Sequence, residues 1–287
     1  MTGFDYQQAF SRNIGWVTQQ EQETLRHKKI AIAGLGGVGG SHLLTLTRLG
    51  IGRFHIADFD QFELPNFNRQ AGATISHLNR PKTEVLAEMA CDINPELNIT
   101  KFPVGVTKDN LSEFFTGVDV YVDALDFFAF EAREMVFAYC AEHDIPAITA
   151  APLGMGVALL VFMPGKMTFE QYFQLSGKSE VDKILHFLLG LSPSMLQRGY
   201  LVDQRAVDLL NHKGPSTPMA CELCAGVTAT QVLKVLLERG KVLAAPSGLQ
   251  FDAYGNKLKR TWLIGGNSNP LQRLSIFLSK KILNKNR

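Results

Sequence analysis

A glycine-rich stretch at residues 28–60 limits the folds open to this chain more than any other feature. The apolar run 30–33 ends in GLGGVG at residues 34–39, which has the spacing G-x-G-x-x-G. An apolar helical pattern follows, and a second apolar run at 54–57 ends at Asp58. A strand, a glycine turn, a helix and an acid that closes the next strand together predict a nucleotide-binding βαβ segment.

Each glycine of this motif has a predicted physical role. Gly34 and Gly36 let the backbone turn tightly and approach a phosphate, with Gly37 in the same turn, and Gly39 lets the helix pack on its strand. The helix N-terminus then offers N–H groups and a partial positive charge to an anion. Asp58 lies about 20 residues beyond the loop, where such folds place the carboxylate that binds ribose hydroxyls. The motif leaves open which nucleotide binds and what reaction follows.

Bulk properties narrow the class of protein. The 287 residues are 46% hydrophobic and 20% charged, which is typical of a globular protein. The net charge of +2 argues against a broad nucleic-acid surface, so no DNA partner is expected. Four cysteines are too few for a secreted disulfide framework, and neither a signal peptide nor an apolar run of about 18 residues is evident. We expect a cytoplasmic protein.

The rest of the chain predicts the fold class. Apolar runs at 98–106, 118–124, 146–151 and 157–162 alternate with helical patterns at 80–92 and 130–143. This alternation predicts an α/β fold with a doubly wound, mainly parallel, Rossmann-like sheet. A helical insertion follows, and residues 248–254 and 258–264 predict a C-terminal antiparallel strand pair that turns at Gly255 and Asn256.

These patterns divide the chain into five predicted parts. They are an N-terminal helical arm at 1–27, a nucleotide-binding core at 28–165, a helical insertion or lid at 166–218, a return to the core at 219–269 and a basic amphipathic tail at 270–287. The insertion has candidate helices at 179–190 and 203–211, and the return to the core begins with a helix at 221–239. A basic amphipathic helix suits either a membrane surface or a partner. We expect the tail to dock on the core, without membrane contact.

Polar side chains gather at the predicted carboxyl edge of the sheet, where open α/β sheets bind ligands. They are Asp58, Asp60, Asn66, Arg69, Gln70, Lys82 and Asp126. Three carboxylates and two cations exceed what a redox dinucleotide needs, and they suit a reaction that changes the charge on phosphate. Two alternatives stay open: Asp60 caps the following loop, or Arg69 and Lys82 are ordinary surface cations.

Three short motifs carry a family resemblance. NFNRQ at 66–70, RPKTE at 80–84 and DALD at 123–126 resemble the ThiF/MoeB-type family, the bacterial relatives of ubiquitin-activating enzymes. The resemblance covers about residues 12–163 and resumes near 220–254. It implies that ATP adenylates a carboxylate with release of pyrophosphate. The carboxylate would be the C-terminus of a small ubiquitin-like sulfur carrier or another acid, including one linked to tRNA.

The same resemblance implies a role for each site residue. Asp58 would bind the ATP ribose, Asn66, Arg69 and Gln70 would position phosphates, Lys82 would neutralise them, Asp126 would bind Mg²⁺, and Arg12 would reach across a homodimer. The chain departs from the family in three places. It has one C-x-x-C pair, Cys221 and Cys224, so zinc is not expected; residues 166–218 contain no cysteine nucleophile; and Phe127 follows Asp126 where many relatives have Asn.

Three further alternatives stay open at this stage. The first is an oxidoreductase with bound NAD or FAD, which rests on the glycine loop and Asp58 alone and leaves Arg69, Lys82 and Asp126 without a role. The second is a non-catalytic ATP-binding scaffold with the same fold. The third concerns the two cysteines near a helix N-terminus, which are either a reactive thiol site or, as we favour, small buried residues.

Overall fold

A computed structural model describes residues 3–208 and 211–285 of the chain. These residues form two compact units, which are described separately. The first contains Met1–Asp126 and Ala225–Val242, and the second contains Phe127–Cys224 and Leu243–Arg287.

The secondary-structure elements are numbered along the chain. The α-helices are α1 Tyr6–Ala9, α2 Gln19–His27, α3 Gly39–Leu49, α4 Lys82–Ile93, α5 Leu111–Phe114, α6 Phe130–Glu142, α7 Phe169–Phe173, α8 Glu180–Leu191, α9 Pro218–Leu236 and α10 Pro270–Lys285. The strands are β1 Lys29–Ala33, β2 Arg53–Ala57, β3 Asn98–Phe102, β4 Val120–Asp123, β5 Ala147–Leu153, β6 Gly156–Phe162, β7 Ser247–Asp252 and β8 Lys257–Trp262. Short 3-10 turns lie at Ser11–Asn13, Leu64–Asn66, Ile75–His77, Leu196–Tyr200, Gln204–Ala206 and Gly266–Ser268.

The first unit is built on four parallel strands in the order β3-β2-β1-β4. Ile32 in β1 is level with Ile56 in β2 and with Val122 in β4, and all three side chains are fully buried. Strands buried in this way read as continuous apolar runs, which is why the sequence predicts β1, β2 and β4. The predicted parallel sheet is confirmed here, and its carboxyl ends lie at one edge.

Local sequence signals set the ends of the two crossover helices. Gly50 ends α3 in the left-handed conformation, with φ of 94°, and its N–H donates to the last carbonyl oxygens of the helix. Pro81 is the N-cap residue of α4, and its ψ of 133° keeps it outside the helix that begins at Lys82. The N–H of Lys82 donates to the carbonyl oxygen of Asp60, which holds the start of α4 beside the end of β2.

The second unit contains four antiparallel strands in the order β5-β6-β7-β8. The predicted C-terminal strand pair is confirmed as β7 and β8. The antiparallel part also includes β5 and β6, which the apolar pattern assigned to the βα alternation. Leu153 pairs with Gly156, so only Gly154 and Met155 connect the two strands. A parallel crossover needs a dozen or more residues, and this connection is far too short for one.

Part of the insertion differs from its prediction. The first candidate helix is confirmed as α8, which Ser179 caps through its hydroxyl. The candidate helix at 203–211 is wrong over its described residues, which form a 3-10 turn at Gln204–Ala206; residues 209–210 lie outside the described part. The carboxylate of Asp203 accepts the N–H of Arg205, and Asp208 exchanges two backbone hydrogen bonds with Lys213. Both contacts compete with a helical backbone.

Helix α9 begins at Pro218, three residues before the predicted start. Among the described residues it is long and apolar enough to cross a membrane by length and composition alone, a property that the sequence patterns did not predict. Half of that apolar window is buried inside the protein, as in the core helix of a globular protein. One such helix is therefore weak evidence for a membrane span.

Helix α10 docks on α8, as the amphipathic pattern of the tail predicted. Ile276 is buried in a cluster with Leu185 and Leu189 of α8. The ammonium of Lys280 lies 2.6 Å from a carboxylate oxygen of Asp182, and this hydrogen bond lowers the pKa of the Asp182 carboxyl. Residues 286–287 of the predicted tail lie outside the described part of the chain.

This docking predicts unequal effects of two truncations on α10. Ile276→Ala removes a buried side chain and should lower the free energy of unfolding by about 2–5 kcal/mol. Ile282→Ala removes a side chain that is 53% exposed and should change it by less than about 0.5 kcal/mol. Urea denaturation followed by circular dichroism measures both. Equal effects of the two substitutions would show that α10 is not held through Ile276.

Candidate nucleotide-binding site

The glycines of the turn after β1 have different structural requirements. Gly34 has φ of 88°, and a Cβ placed on it would lie 2.1 Å from the carbonyl oxygen of Ala124. A Cβ on Gly39 would lie 1.9 Å from the carbonyl oxygen of Gly34. On Gly36, by contrast, the nearest atom would be the amide nitrogen of Gln70, at 3.8 Å. Gly34 thus allows close contact with Ala124, and Gly39 allows close contact with Gly34, whereas Gly36 leaves space that a ligand can use. Gly37 lies partly buried in the same turn.

The helix that follows this turn starts without a side-chain cap. Val38 is the N-cap residue of α3, and its side chain makes no capping hydrogen bond. The first N–H groups of a helix have no partner within the helix, and the helix dipole adds a partial positive charge there. Together with the open space at Gly36, this arrangement fits an anionic group such as a phosphate.

Asp58 ties the end of β2 to the glycine turn. One carboxylate oxygen accepts the N–H of Leu35 at 2.6 Å, and the other accepts the N–H of Asp60 at 2.8 Å. Burial raises the pKa of the Asp58 carboxyl, while the nearby ammonium of Lys82 opposes this rise. The structure therefore places Asp58 directly beside the glycine loop, as its spacing in the sequence predicted.

Lys82 is a buried cation. Its ammonium lies 2.9 Å from a carboxylate oxygen of Asp60, and its side chain is only 6% exposed whereas that of Asp60 is 53% exposed. The backbone N–H of Lys82 also donates to the carbonyl oxygen of Asp60. An ordinary surface lysine keeps its ammonium in water, so this alternative does not describe Lys82. Asp60 pairs with Lys82, and both lie next to Asp58.

The loop after β2 contributes one buried amide and two groups that hold the loop itself. Gln70 is buried next to Gly36, and its side-chain amide oxygen makes no hydrogen bond within residues 3–208 and 211–285. Arg69 donates from Nη1 to the carbonyl oxygen of Pro65 and to the side chain of Asn68. The side chain of Asn66 accepts the N–H of Glu63 and closes the preceding turn. Of these three residues, Gln70 is the one whose side chain lies beside the glycine turn.

Asp126 and Arg12 stand apart from this group. Asp126 is exposed. It directly follows Ala124 and Leu125, whose backbone atoms lie against Gly34, so the segment that carries Asp126 starts next to the glycine turn. Arg12 is exposed in the 3-10 turn Ser11–Asn13 and forms no ion pair with any described residue. The structure of a single chain therefore does not bring Arg12 to the other predicted site residues.

Asp123 is a polar residue of this edge that the sequence patterns did not assign to the site. It is buried at the end of β4, where one carboxylate oxygen accepts the hydroxyl of Tyr121 and the N–H of Leu125, each at 3.3 Å. The signal was present in DALD, since an acid inside an apolar strand must be hydrogen-bonded when it is buried. Asp123 orients the segment that leads to Asp126.

The cysteines and Phe127 lie in the second unit. Cys221 and Cys224 are fully buried in the first turns of α9, and burial raises the pKa of the Cys224 thiol. Burial of this kind fits the favoured alternative of small buried residues and argues against a thiolate. The ring of Phe127 packs with those of Phe128, Phe130 and Phe187. No cluster of three or more His, Cys, Asp or Glu suited to a metal occurs in the described part of the chain.

The fold and the site define a nucleotide-binding α/β protein whose glycine turn has a buried lysine beside it. This chain belongs to the ThiF family, whose model matches residues 10–271. The family membership expected from the three motifs is therefore confirmed.

Curated relatives match about half of the chain. A tRNA threonylcarbamoyladenosine dehydratase of Bacillus subtilis (strain 168) is 33% identical over 142 residues, which are 49% of this chain and 55% of the relative. A sulfur carrier protein ThiS adenylyltransferase of Escherichia coli (strain K12) is 32% identical over 143 residues, which are 50% of this chain and 56% of the relative. The chain thus spans about half the length of these relatives.

Solved structures match most of the chain at low identity. E. coli MccB in complex with MccA-N7isoASN has a TM-score of 0.68 and 19% identity, covering 90% of this chain and 72% of that chain. E. coli MccB with ATP has a TM-score of 0.66 and 20% identity, covering 88% and 70%. At these identities the likeness establishes the fold alone, and it agrees with the predicted Rossmann-like class.

The glycine geometry predicts unequal effects of two alanine substitutions on stability. Gly34→Ala should lower the free energy of unfolding by at least about 2 kcal/mol, because it combines a strained backbone with overlap on Ala124. Gly36→Ala meets no atom closer than 3.8 Å and should leave stability within about 0.5 kcal/mol of the parent. Urea denaturation of both variants measures the difference. A strong loss of stability in Gly36→Ala would contradict an open space above the turn.

Proposed function

We propose that the chain is an ATP-dependent adenylyltransferase that activates a carboxylate as an acyl-adenylate and works in the cytoplasm. The observation that supports it most is the buried ammonium of Lys82, paired with Asp60 beside a glycine turn with open space at Gly36. A buried cation at a phosphate-binding turn is suited to a triphosphate whose charge redistributes during reaction. A redox dinucleotide would give Lys82 no such role.

The proposed reaction is an in-line displacement at the α-phosphorus of ATP. A carboxylate oxygen of the substrate forms a new P–O bond, while the bond from the α-phosphorus to the bridging oxygen breaks and pyrophosphate leaves with both electrons. Lys82 would neutralise phosphate charge, and the backbone at Gly36 with the uncapped start of α3 would hold phosphate oxygens. Positioning and fixed charges supply most of the rate in such transfers.

Asp58 keeps hydrogen-bonding capacity for the ribose. Each of its carboxylate oxygens accepts one backbone N–H, from Leu35 and from Asp60. A carboxylate has about four lone-pair sites, so each oxygen retains capacity for a ribose hydroxyl. The buried side-chain amide oxygen of Gln70 is a second acceptor, suited to a donor group of the nucleotide.

Mg²⁺ is the metal that the proposal implies. It binds through one or two carboxylates together with substrate phosphates, so the site does not need a cluster of several acids. We propose Asp126, exposed beyond β4, as the residue that would hold it. When bound there, the ion would neutralise charge on the phosphates.

The relatives support ATP chemistry on a carboxylate and leave the substrate open. One relative is named for adenylating the sulfur carrier ThiS, and one structure of MccB was solved with ATP. Another relative is named as a tRNA threonylcarbamoyladenosine dehydratase, so a tRNA-linked acid stays beside a carrier protein as a candidate substrate. None of these names indicates an oxidoreductase, and the NAD or FAD alternative has no support from them.

Pyrophosphate–ATP exchange tests the proposed reaction. With a suitable carboxylate, Lys82→Met should lower the exchange rate by about 100-fold or more, because one preorganised cation is lost. The matched control is Lys101→Met, which removes a 38%-exposed lysine that pairs with Glu84. Full exchange in Lys82→Met would end the assigned role. Nucleotide binding by the parent without exchange against a carrier protein, a peptide or a tRNA-linked acid would favour the non-catalytic scaffold instead.

We further propose that Arg12 acts across a homodimer. Exposure of Arg12 in a terminal arm, without an ion pair in the described part of its own chain, is consistent with action on a partner. Arg12→Ala and Lys82→Met chains should each be inactive alone. When the two chains are co-expressed equally and pair at random, about half of the dimers are mixed, and one of the two sites in each mixed dimer is complete, so about a quarter of the parental exchange rate should return. Recovery of no activity from stable mixed dimers would place Arg12 outside the partner's site.

A further inference from the structure

The C-terminal part of the chain has a charge distribution unlike the rest. Residues 253–287 contain eight Lys or Arg and no Asp or Glu, whereas the preceding 252 residues contain 21 Lys or Arg against 27 Asp or Glu. The small net charge of +2 therefore hides an acidic body and a strongly basic end. A cluster of this size attracts an anionic surface over about a Debye length.

Helix α10 presents a second apolar face in addition to the one docked on α8. Leu271, Leu274, Leu278 and Ile282 are spaced three, four and four residues apart, so they lie along one side of the helix. Their side chains are 78%, 53%, 49% and 53% exposed. Four large aliphatic side chains in a row form a ridge, here called the α10 ridge, in which each side chain is about half exposed or more.

Basic and aromatic groups accompany the α10 ridge. Arg273 and Lys281 are exposed, and the ammonium of Lys281 lies 4.6 Å from the ring centroid of Phe277, which is itself 53% exposed. An exposed apolar face next to lysine and arginine, with an aromatic ring at the boundary, is typical of a helix that lies in a lipid interface.

The preceding strand has the same chemistry. β8 is the last strand of the second unit's sheet and carries Lys257, Lys259 and Arg260, all exposed. Lysines on an edge strand oppose the addition of a further strand from a protein partner. Trp262, at the end of β8, is 71% exposed, and tryptophan is enriched where apolar and polar phases meet.

We propose that the C-terminal region binds an anionic lipid surface through the α10 ridge and its basic neighbours. Charge complementarity selects an anionic partner, because no acid occurs in this region. The pairing of groups favours a bilayer, because the apolar ridge suits the acyl region and the arginine and lysine beside it suit anionic headgroups, while α8 holds the other side of the helix. Such a ridge enters a lipid interface by about 5–10 Å without leaving its own core.

Vesicle sedimentation of the full chain tests the proposal. We expect binding to vesicles of phosphatidylcholine with about 30% phosphatidylserine, weak binding to phosphatidylcholine alone, and release by added salt. Arg273→Gln with Lys281→Gln should weaken binding to the anionic vesicles by about fivefold for each charge removed. Leu274→Gln with Leu278→Gln should weaken it by at least about tenfold, because two large apolar side chains lose their burial.

Matched controls separate the α10 ridge from general effects. Val202→Gln replaces a fully exposed apolar residue of the same unit, and Lys166→Gln removes an exposed charge outside the basic region; neither should change vesicle binding. Thermal unfolding and pyrophosphate exchange should stay at parental values in every variant. Absence of sedimentation with anionic vesicles, or equal binding by the ridge and control variants, would overturn the proposal. A ridge substitution that instead changes the oligomeric mass, without a change in vesicle binding, would overturn it in favour of self-association.

Discussion

The carboxylate of Asp58, shared between two backbone N–H groups, is the contact on which the candidate site depends. It fixes the glycine turn through Leu35 and the end of β2 through Asp60, and Asp60 in turn holds the ammonium of Lys82. The arrangement has an energetic consequence. Burial raises the pKa of Asp58, so its ionised form is less favourable in the folded chain than in the unfolded chain, and this cost is present at neutral pH and disappears as the carboxyl becomes protonated at low pH. Lys82 limits that cost, so the same buried lysine stabilises the ionised form of Asp58 and, in the proposed reaction, neutralises phosphate charge.

Much of this arrangement could be predicted from the sequence because it depends on local rules. An apolar run that ends in glycines, a helix and an acid after the next strand are enough to predict where Gly34, Gly39 and Asp58 lie. What the motif could not reveal is that its glycines serve different purposes. Steric contact with Ala124 requires a glycine at position 34, whereas nothing within the described chain requires one at position 36. That difference depends on β4, which is distant in sequence.

The wrong or incomplete predictions share a physical cause. Apolar runs identified β5 and β6, but strand direction was set by the two-residue connection at Gly154 and Met155, which an apolar pattern does not report. The helix predicted at 203–211 had suitable periodicity, but side chain–backbone contacts of Asp203 gave the chain another way to satisfy its backbone. Likewise, periodicity identified α10 without showing which of its two apolar sides would find a partner. Sequence patterns indicate which residues tend to be buried, and tertiary contacts determine the strand direction, local structure and packing partner of those residues.

The buried cysteines of α9 can report when this helix becomes transiently exposed to solvent. Cys221 and Cys224 are inaccessible in the folded chain, while Cys91 is half-buried in α4 and provides an internal reference. Alkylating reagents attack thiolates in contact with solvent, so labelling of the α9 pair has to wait for transient exposure of that helix. The chain can therefore show, without any introduced probe, whether nucleotide or lipid slows the fluctuations of its longest helix.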